Sequence, residues 1–385
     1  MKILHLYKDY YPVIGGIENY VKVLAEAQVR RGHKVTVLVT SLTRQTKIER
    51  HNGVLVIKAG RLAHIASTPL SLSLPFILAR LKPDIAHLQF PYPFGEFAAL
   101  LGSKAPRLVF TYHSDVVRQA ALLRLYRPLM QRILQRADAI IATSPPYVES
   151  SEVLRAYREK VHVVPLGVHT AAFAHENPAR VATLQGEWSP DGEPLILFVG
   201  RFRYYKGLDV LLRAVPHLRR GRILLVGDGP ERRKLDALCT QLGLEERVYF
   251  LGSTMEEELI ALRHATRRSG GLFVLPATHR SEAFGTVLLE AMAAGLPLVT
   301  TELGTGTSWV NQEGVTGRVV PANNPTALAE AINQMLADPA LLQTMQRAAR
   351  TRAQRFDLTQ MVEGVEGVYD HVMGGSGFVK GSPVR

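Results

Sequence analysis

The chain carries a single cysteine, Cys239, in 385 residues. One thiol excludes an intramolecular disulfide and any cysteine-built metal centre. No stretch approaches the ~20 uninterrupted apolar residues of a membrane-spanning helix. The amino end, Met1-Lys-Ile-Leu-His-Leu-Tyr7, reads at once as a strand and not as a leader, so a cytoplasmic protein is expected. Asp-x-Asp is absent, and with it the usual carboxylate grip on Mg²⁺ beneath a nucleotide. The first strand is followed by Val13-Ile-Gly-Gly-Ile17 and not by Gly-x-Gly-x-x-Gly, which argues against a dinucleotide-dependent dehydrogenase. There is no repeat with the regularity of a solenoid.

What is present is a globular composition, 46% hydrophobic and 21% charged, in a chain long enough for two domains with separate cores. The net charge of +12 is unevenly spread. Residues 1–180 hold 24 Lys and Arg against 12 Asp and Glu, while residues 181–385 hold 22 against 22. A basic first half beside a neutral second half suggests an anionic partner for the first, a lipid surface or a phosphorylated acceptor. Solvated surface charge is equally compatible. No nucleic-acid motif accompanies the charge, so no nucleic-acid partner is expected.

Strand and helix patterns alternate along the chain, which argues for parallel sheets covered on both faces. In the first half, strands are expected at 2–7, 34–37, 54–58, 84–88, 107–111, 138–142 and 161–164. Helices are expected at 16–31, 71–81, 94–101 and 116–136, and residues 61–70 read as a loop. Pro128 is expected to split the fourth helix. That helix interleaves Arg118, Arg124, Arg127, Arg132 and Arg136 with leucines, and it fits either an anionic bilayer or a core with a solvated basic face. Residues 171–191, with Asn177, Pro178, Gly186 and Pro190, have linker composition. Domains are accordingly expected at 1–172 and 173–357, followed by a helix at 358–373 and a frayed Gly/Ser-rich tail at 374–385.

The most informative stretch runs from 271 to 305: a short apolar strand, a polar loop, and a helix stopped by Gly295 and Pro297. Glu282 precedes that helix and Glu290 lies on its second turn. Between them the amides of Phe284, Gly285 and Thr286 stand at a helix amino end, where the macrodipole favours negative charge. Carboxylates repel phosphate, so the two Glu are expected to face hydroxyl-rich groups, a sugar and a ribose. Gly200-Arg-Phe-Arg-Tyr-Tyr-Lys-Gly207 places Arg201 and Lys206 beyond another strand, two cations suited to a diphosphate. Gly229 lies in a further turn at a strand's carboxyl edge, where backbone groups suit a nucleotide base. Gly15 and Gly16 open the first helix; such a pair brings backbone close to a ligand or merely makes a tight turn. Thr111-Tyr-His-Ser-Asp115 ends a strand and puts His113 and Asp115 at the functional edge of the first sheet.

Glu282-x7-Glu290 followed by Ala-Met-Ala-Ala-Gly-Leu-Pro297 resembles the signature of the family-four retaining glycosyltransferases of the GT-B fold. The resemblance covers nearly the whole chain. It implies an α/β protein of two Rossmann-like, doubly wound parallel-sheet domains facing across a cleft: an acceptor-binding first domain, a nucleotide-sugar-binding second domain, and a last helix crossing back to the first. It implies that Arg201 and Lys206 hold the donor pyrophosphate and that Glu290 takes the ribose hydroxyls. Glu282 would take the donor sugar with Phe284, Gly285 and Thr286, Gly15 and Gly16 would lie against the diphosphate, His113 would touch the donor sugar, and Asp115 would lie on the acceptor side.

Within the family, the 200–207 element and Thr301-Glu-Leu-Gly-Thr-Gly-Thr307 look most like bacterial rhamnosyl or mannosyltransferases of O-antigen and exopolysaccharide assembly. That implies GDP-mannose as donor, a lipid-linked or oligosaccharide acceptor, no metal or cofactor, and a peripheral place on the inner membrane face. No side chain stands out as a covalent nucleophile. Two other readings stay open: a UDP-sugar glucosyl or N-acetylglucosaminyl transferase of the same fold, and a non-catalytic GT-B glycan-binding protein.

Overall fold

A computed structural model describes residues 1–13, 15–65, 68–115 and 120–375, with only the backbone described for 120–125. The chain forms two units, Met1–Leu166 with Met361–Arg385, and Gly167–Gln360. Among the described residues no helix is long and apolar enough to cross a membrane.

The first unit contains strands β1 (Lys2–Leu6), β2 (Lys34–Thr40), β3 (Lys47–His51), β4 (Val54–Ala59), β5 (Ala63–Ile65), β6 (Thr68–Leu70), β7 (Ile85–Phe90), β8 (Arg107–Tyr112), β9 (Ala139–Ala142) and β10 (Val161–Val163). Its helices are α1 (Gly16–Arg30), α2 (Ser73–Arg80), α3 (Pro93–Gly102), α4 (Ala120–Arg136), α5 (Pro145–Ser150) and α6 (Glu152–Ala156). The main sheet runs β10-β9-β8-β7-β1-β2-β4-β3, parallel except where β3 meets β4. Its central strands are apolar runs buried on both faces, as a helix-covered parallel sheet requires. Strand order reverses at β1, which pairs with both β2 and β7.

The second unit contains α7 (Thr170–Ala174), α8 (Pro178–Trp188), α9 (Leu208–Ala214), α10 (Arg232–Gln241), α11 (Glu256–Arg268), α12 (Thr286–Ala293), α13 (Gly306–Val310), α14 (Pro325–Ala337) and α15 (Pro339–Ala353). Its strands are β11 (Leu195–Val199), β12 (Arg222–Val226), β13 (Val248–Gly252), β14 (Leu272–Leu275), β15 (Leu298–Glu302) and β16 (Gly317–Pro321). The sheet order is β13-β12-β11-β14-β15-β16, all parallel. The reversal falls between β11 and β14, so the loops leaving their carboxyl ends lie side by side.

The last helix, α16 (Leu358–Val372), begins in the second unit and packs from Met361 onward with the first. Glu366 and Glu363 pair with Arg31 at 2.8 and 3.2 Å, and the Tyr369 hydroxyl lies 2.6 Å from His87 Nδ1 inside the core.

Three sequence expectations need correcting, and one strand, β3, is not among those expected. Residues 61–70 are not a plain loop: β5 and β6 pair antiparallel, with 66–67 outside the described residues. The polar segment of β3 forms an edge strand that local apolar periodicity does not reveal. Pro128 does not split α4, which is one helix from Ala120; the expected start at 116–119 lies outside the described residues. The missing amide bond is tolerated because Met130, Ile133 and Leu134 on the following turns are buried. Residues 171–191 are largely helical, because Asn177 caps α8 by accepting the Arg180 amide and Pro178 sits at its first turn. The Asn-Pro pair starts a helix there and does not mark a linker.

Candidate active site

In the second unit the sheet reversal brings two loops together. Gly207 has φ +68°, and a Cβ there would lie 1.9 Å from the Pro276 carbonyl, so only glycine lets the 205–207 turn rest on the 276–278 segment. The Thr278 amide donates to the Tyr205 carbonyl at 2.9 Å. This contact sets Lys206 Nζ 2.5 Å from Glu282 Oε2, with both side chains nearly enclosed. Burial alone would lower the Lys206 ammonium, but Glu282 beside it more than compensates and its pKa is raised. Lys206 is therefore a fixed cation.

Glu290 projects from α12 toward α11, where Arg263 is fully buried and donates through Nη2 to Glu290 Oε2. The guanidinium carbon lies 5.3 Å from the centre of the Phe173 ring. Burial pushes the Glu290 carboxyl up while Arg263 pulls it down. Each carboxylate thus already has a cation within the protein, a partner that sequence reading does not supply. A buried carboxylate without one would be strongly destabilised.

The amino end of α12 is held between these pairs. Gly285 caps it in the left-handed region, φ +78°. Phe284 is buried against Trp309 and Phe356. The Thr305 hydroxyl donates to the Glu282 carbonyl at 2.9 Å and the Gly306 amide to the Ala283 carbonyl at 2.7 Å, which fixes the turn. The amides of Phe284, Gly285 and Thr286 stand where a helix lacks intrahelical acceptors. Arg201 is exposed at the end of β11. Gly229 is close-packed on the adjoining turn, since a Cβ there would come within 2.4 Å of the Phe202 carbonyl. Arg201, Lys206, Glu282, Glu290 and the α12 start are thus gathered around the β11–β14 edge of one unit.

In the first unit His113 follows β8 and is buried, with Nε2 2.8 Å from Gln89 Oε1 and its ring edge-on to Tyr20 at 5.0 Å. Burial lowers its pKa to about 3, so it is a neutral imidazole at working pH. Asp115 Oδ1 accepts the hydroxyls of Tyr112 at 2.9 Å and Ser151 at 2.7 Å, which anchors the loop carrying His113. Gly15 caps α1 in extended conformation, and the Glu18 carboxylate occupies the space where a Cβ would stand; Gly16 has open space.

Two families of residues escaped sequence reading. Arg263 lies in a helix with two other arginines and a histidine, and no local pattern sets it apart. Behind His113, a buried chain runs from His5 to Gln28 (2.7 Å), Gln28 to Tyr369 (3.5 Å), Tyr369 to His87 (2.6 Å), His87 to Thr111 (2.7 Å) and Thr111 to Tyr20 (3.1 Å). The only local signal for it is a histidine within each of two apolar strands, β1 and β7.

Residues 183–352 match the family described as glycosyl transferases group 1, and residues 14–172 match glycosyltransferase family 4. The chain is 39% identical over 339 residues to the O-antigen chain mannosyltransferase C of Escherichia coli, covering 87% of this chain and 88% of that one. This chain belongs to glycosyltransferase family 4. The glycosyltransferase is also 37% identical over 355 residues to the D-rhamnosyltransferase WbpZ of Pseudomonas aeruginosa, covering 91% of each chain. Among solved structures, HepE of Anabaena in complex with UDP-glucose matches it with a TM-score of 0.77 at 21% identity, over 96% of this chain and 100% of that one. The fold of this glycosyltransferase is GT-B, and its two parallel-sheet units are the two domains of that fold.

Proposed function

We propose that this glycosyltransferase moves a hexose, mannose before others, from GDP-mannose to a lipid-linked saccharide in O-antigen-type polysaccharide assembly, with retention at the anomeric carbon and without a metal. The observation that carries the reading is the grouping of Arg201, Lys206, Glu282, Glu290 and the α12 amino end around one sheet edge. The names of the mannosyl and rhamnosyl relatives support the sugar and the acceptor class. Arg201, Lys206 and the helix end meet the charge of the departing diphosphate, as fixed donors placed where charge develops. Lys206 is preset by Glu282 and needs no reorganisation. Glu290 takes the ribose hydroxyls, Glu282 the donor sugar, and Gly229 the base.

No covalent nucleophile is assigned. The bond from the anomeric carbon to the diphosphate breaks, the acceptor oxygen bonds the same face, and the acceptor proton passes to the leaving phosphate oxygen. His113, neutral and held by Gln89, orients the donor sugar. The basic first unit gives the enzyme a peripheral place on an anionic membrane.

Calorimetry on the purified protein in EDTA tests the donor, comparing GDP-mannose with UDP-glucose, UDP-N-acetylglucosamine and dTDP-rhamnose. GDP-mannose binding that is lost in Arg201→Ala is expected. Preference for a uridine donor would keep the site and overturn the sugar, and binding of none would favour a non-catalytic glycan-binding protein.

A further inference from the structure

Large apolar side chains are exposed very unevenly. Leu42, Leu62, Ile65, Leu72, Phe76 and Leu101 of the first unit are each 56 to 69% exposed, whereas the second unit shows only Met255 and Val315 among its described residues. Scattered exposed leucines need no explanation, but a contiguous set does.

The segments that carry these six adjoin one another. The Arg61 amide donates to the Thr43 carbonyl at 2.8 Å and the Leu62 amide to the Leu70 carbonyl at 2.8 Å, which joins the 42–46 loop to the β5–β6 hairpin. Thr46 Oγ1 lies 3.3 Å from Ser73 Oγ, joining that loop to the start of α2. A Cβ on Gly102 would come within 3.2 Å of the Pro75 carbonyl, so the end of α3, which carries Leu101, abuts α2, which carries Phe76.

The surrounding charge is mainly positive, and Asp9 is paired with Arg61 at 3.4 Å. Between residues 42 and 82 the only acid is Glu49, and Lys58 neutralises it at 2.5 Å. Arg44, Lys47, Arg50, Arg80, Lys82 and Lys104 are exposed and form no ion pair among the described residues. The basic helix α4 does not supply such a surface in its described part. There Met130, Ile133 and Leu134 face the core, and Arg136 donates to the carbonyls of Ala99, Leu100 and Ser103.

From this juxtaposition we infer that the 42–46 loop, the β5–β6 hairpin, α2 and the end of α3 form the face that docks on an anionic bilayer. The leucines and Phe76 enter the acyl boundary while the six cations meet lipid phosphates. Charge complementarity selects the occupant: apolar side chains ringed by unpaired cations suit a negative interface better than a second copy of this equally basic unit. The inference rests on the membrane reading above and adds the surface.

Vesicle sedimentation of the full chain tests it, with phosphatidylcholine:phosphatidylglycerol vesicles against phosphatidylcholine alone. Wild type is expected to pellet about tenfold more with the anionic vesicles. The triple variant Leu72→Ser, Phe76→Ser, Leu101→Ser should lose about tenfold of that binding. Its melting temperature and its transfer to a water-soluble saccharide acceptor should not change, because these three side chains are exposed and none is among the residues placed in the site. Arg44→Ser, Lys47→Ser, Arg80→Ser should lose several-fold and show weaker salt dependence. Wild type remaining in the supernatant with both vesicles would overturn both the membrane reading and the surface. Wild-type and triple variant pelleting alike would overturn the surface alone. A wild-type dimer that the triple variant turns monomeric in light scattering, without vesicle binding, would make the face a self-association surface instead.

Discussion

The two units share a parallel-sheet plan but surround their candidate site residues differently. In the first, His5, His87 and His113 lie in the interior as neutral rings joined to side-chain amides and hydroxyls, and burial holds all three pKa values far below the ordinary range. Glu96 follows the same rule from the acidic side: burial pushes its carboxyl up to about 7. In the second, Lys206 and Arg263 are buried as cations, each against a carboxylate. A group that cannot find a countercharge becomes neutral, and one that can keeps its charge at a desolvation cost. The distinction fits the division of labour proposed here. A diphosphate needs standing positive charge, and a sugar beside His113 needs neutral hydrogen-bonding groups.

The largest test breaks one ion pair. Lys206→Ala should lower kcat/KM by about 10³, the range for loss of a donor to a developing oxyanion. It should also cost about 3–5 kcal/mol of stability by leaving Glu282 buried and unpaired. Adding Glu282→Gln should restore most of the stability in a thermal melt and none of the transfer, which separates the structural part of the pair from its chemistry.

Acid should expose the other half of the comparison. Above pH about 6.5 neither the folded nor the unfolded chain protonates these histidines. As pH falls from 6.5 toward 4, the unfolded chain binds protons that the buried rings refuse, and the first unit loses stability, roughly 3 kcal/mol for His5 alone by pH 4. Both tryptophans, Trp188 and Trp309, lie in the second unit, so their emission reports that unit alone. Far-UV circular dichroism should fall before the emission shifts, and coincident transitions would contradict the contrast.

The smallest effect concerns Arg263. Arg263→Met removes the partner of Glu290, whose side chain keeps 25% exposure, so hydration softens the loss to about 1–2 kcal/mol. The donor KM should rise about tenfold with kcat little changed, because a loosened Glu290 weakens a contact made before the chemistry. A fall in kcat at constant KM would place Arg263 in a different role.

Much of this was readable from local pattern. The apolar runs of β1, β7, β11 and β14 and the turn residues after them announce parallel sheets with ligand loops at their carboxyl edges. The missed elements lack that signal. β3 alternates charge and not apolarity, and α8 begins with Asn177-Pro178, a pair common to turns and helix starts alike. α4 continues through Pro128 because of burial that only packing creates.

The sequence by itself determined the alternation of apolar strands with helices in each sheet, the concentration of positive charge before residue 180, and the identity of the motif residues. These follow from periodicity and spacing, which are local. Only the tertiary structure decided that Glu282 meets Lys206, that Glu290 meets Arg263, and that Tyr369 reaches His87. Those partners are chosen by strand order and by the cost of burying charge, and both depend on residues that are remote in the chain until the sheet brings them together.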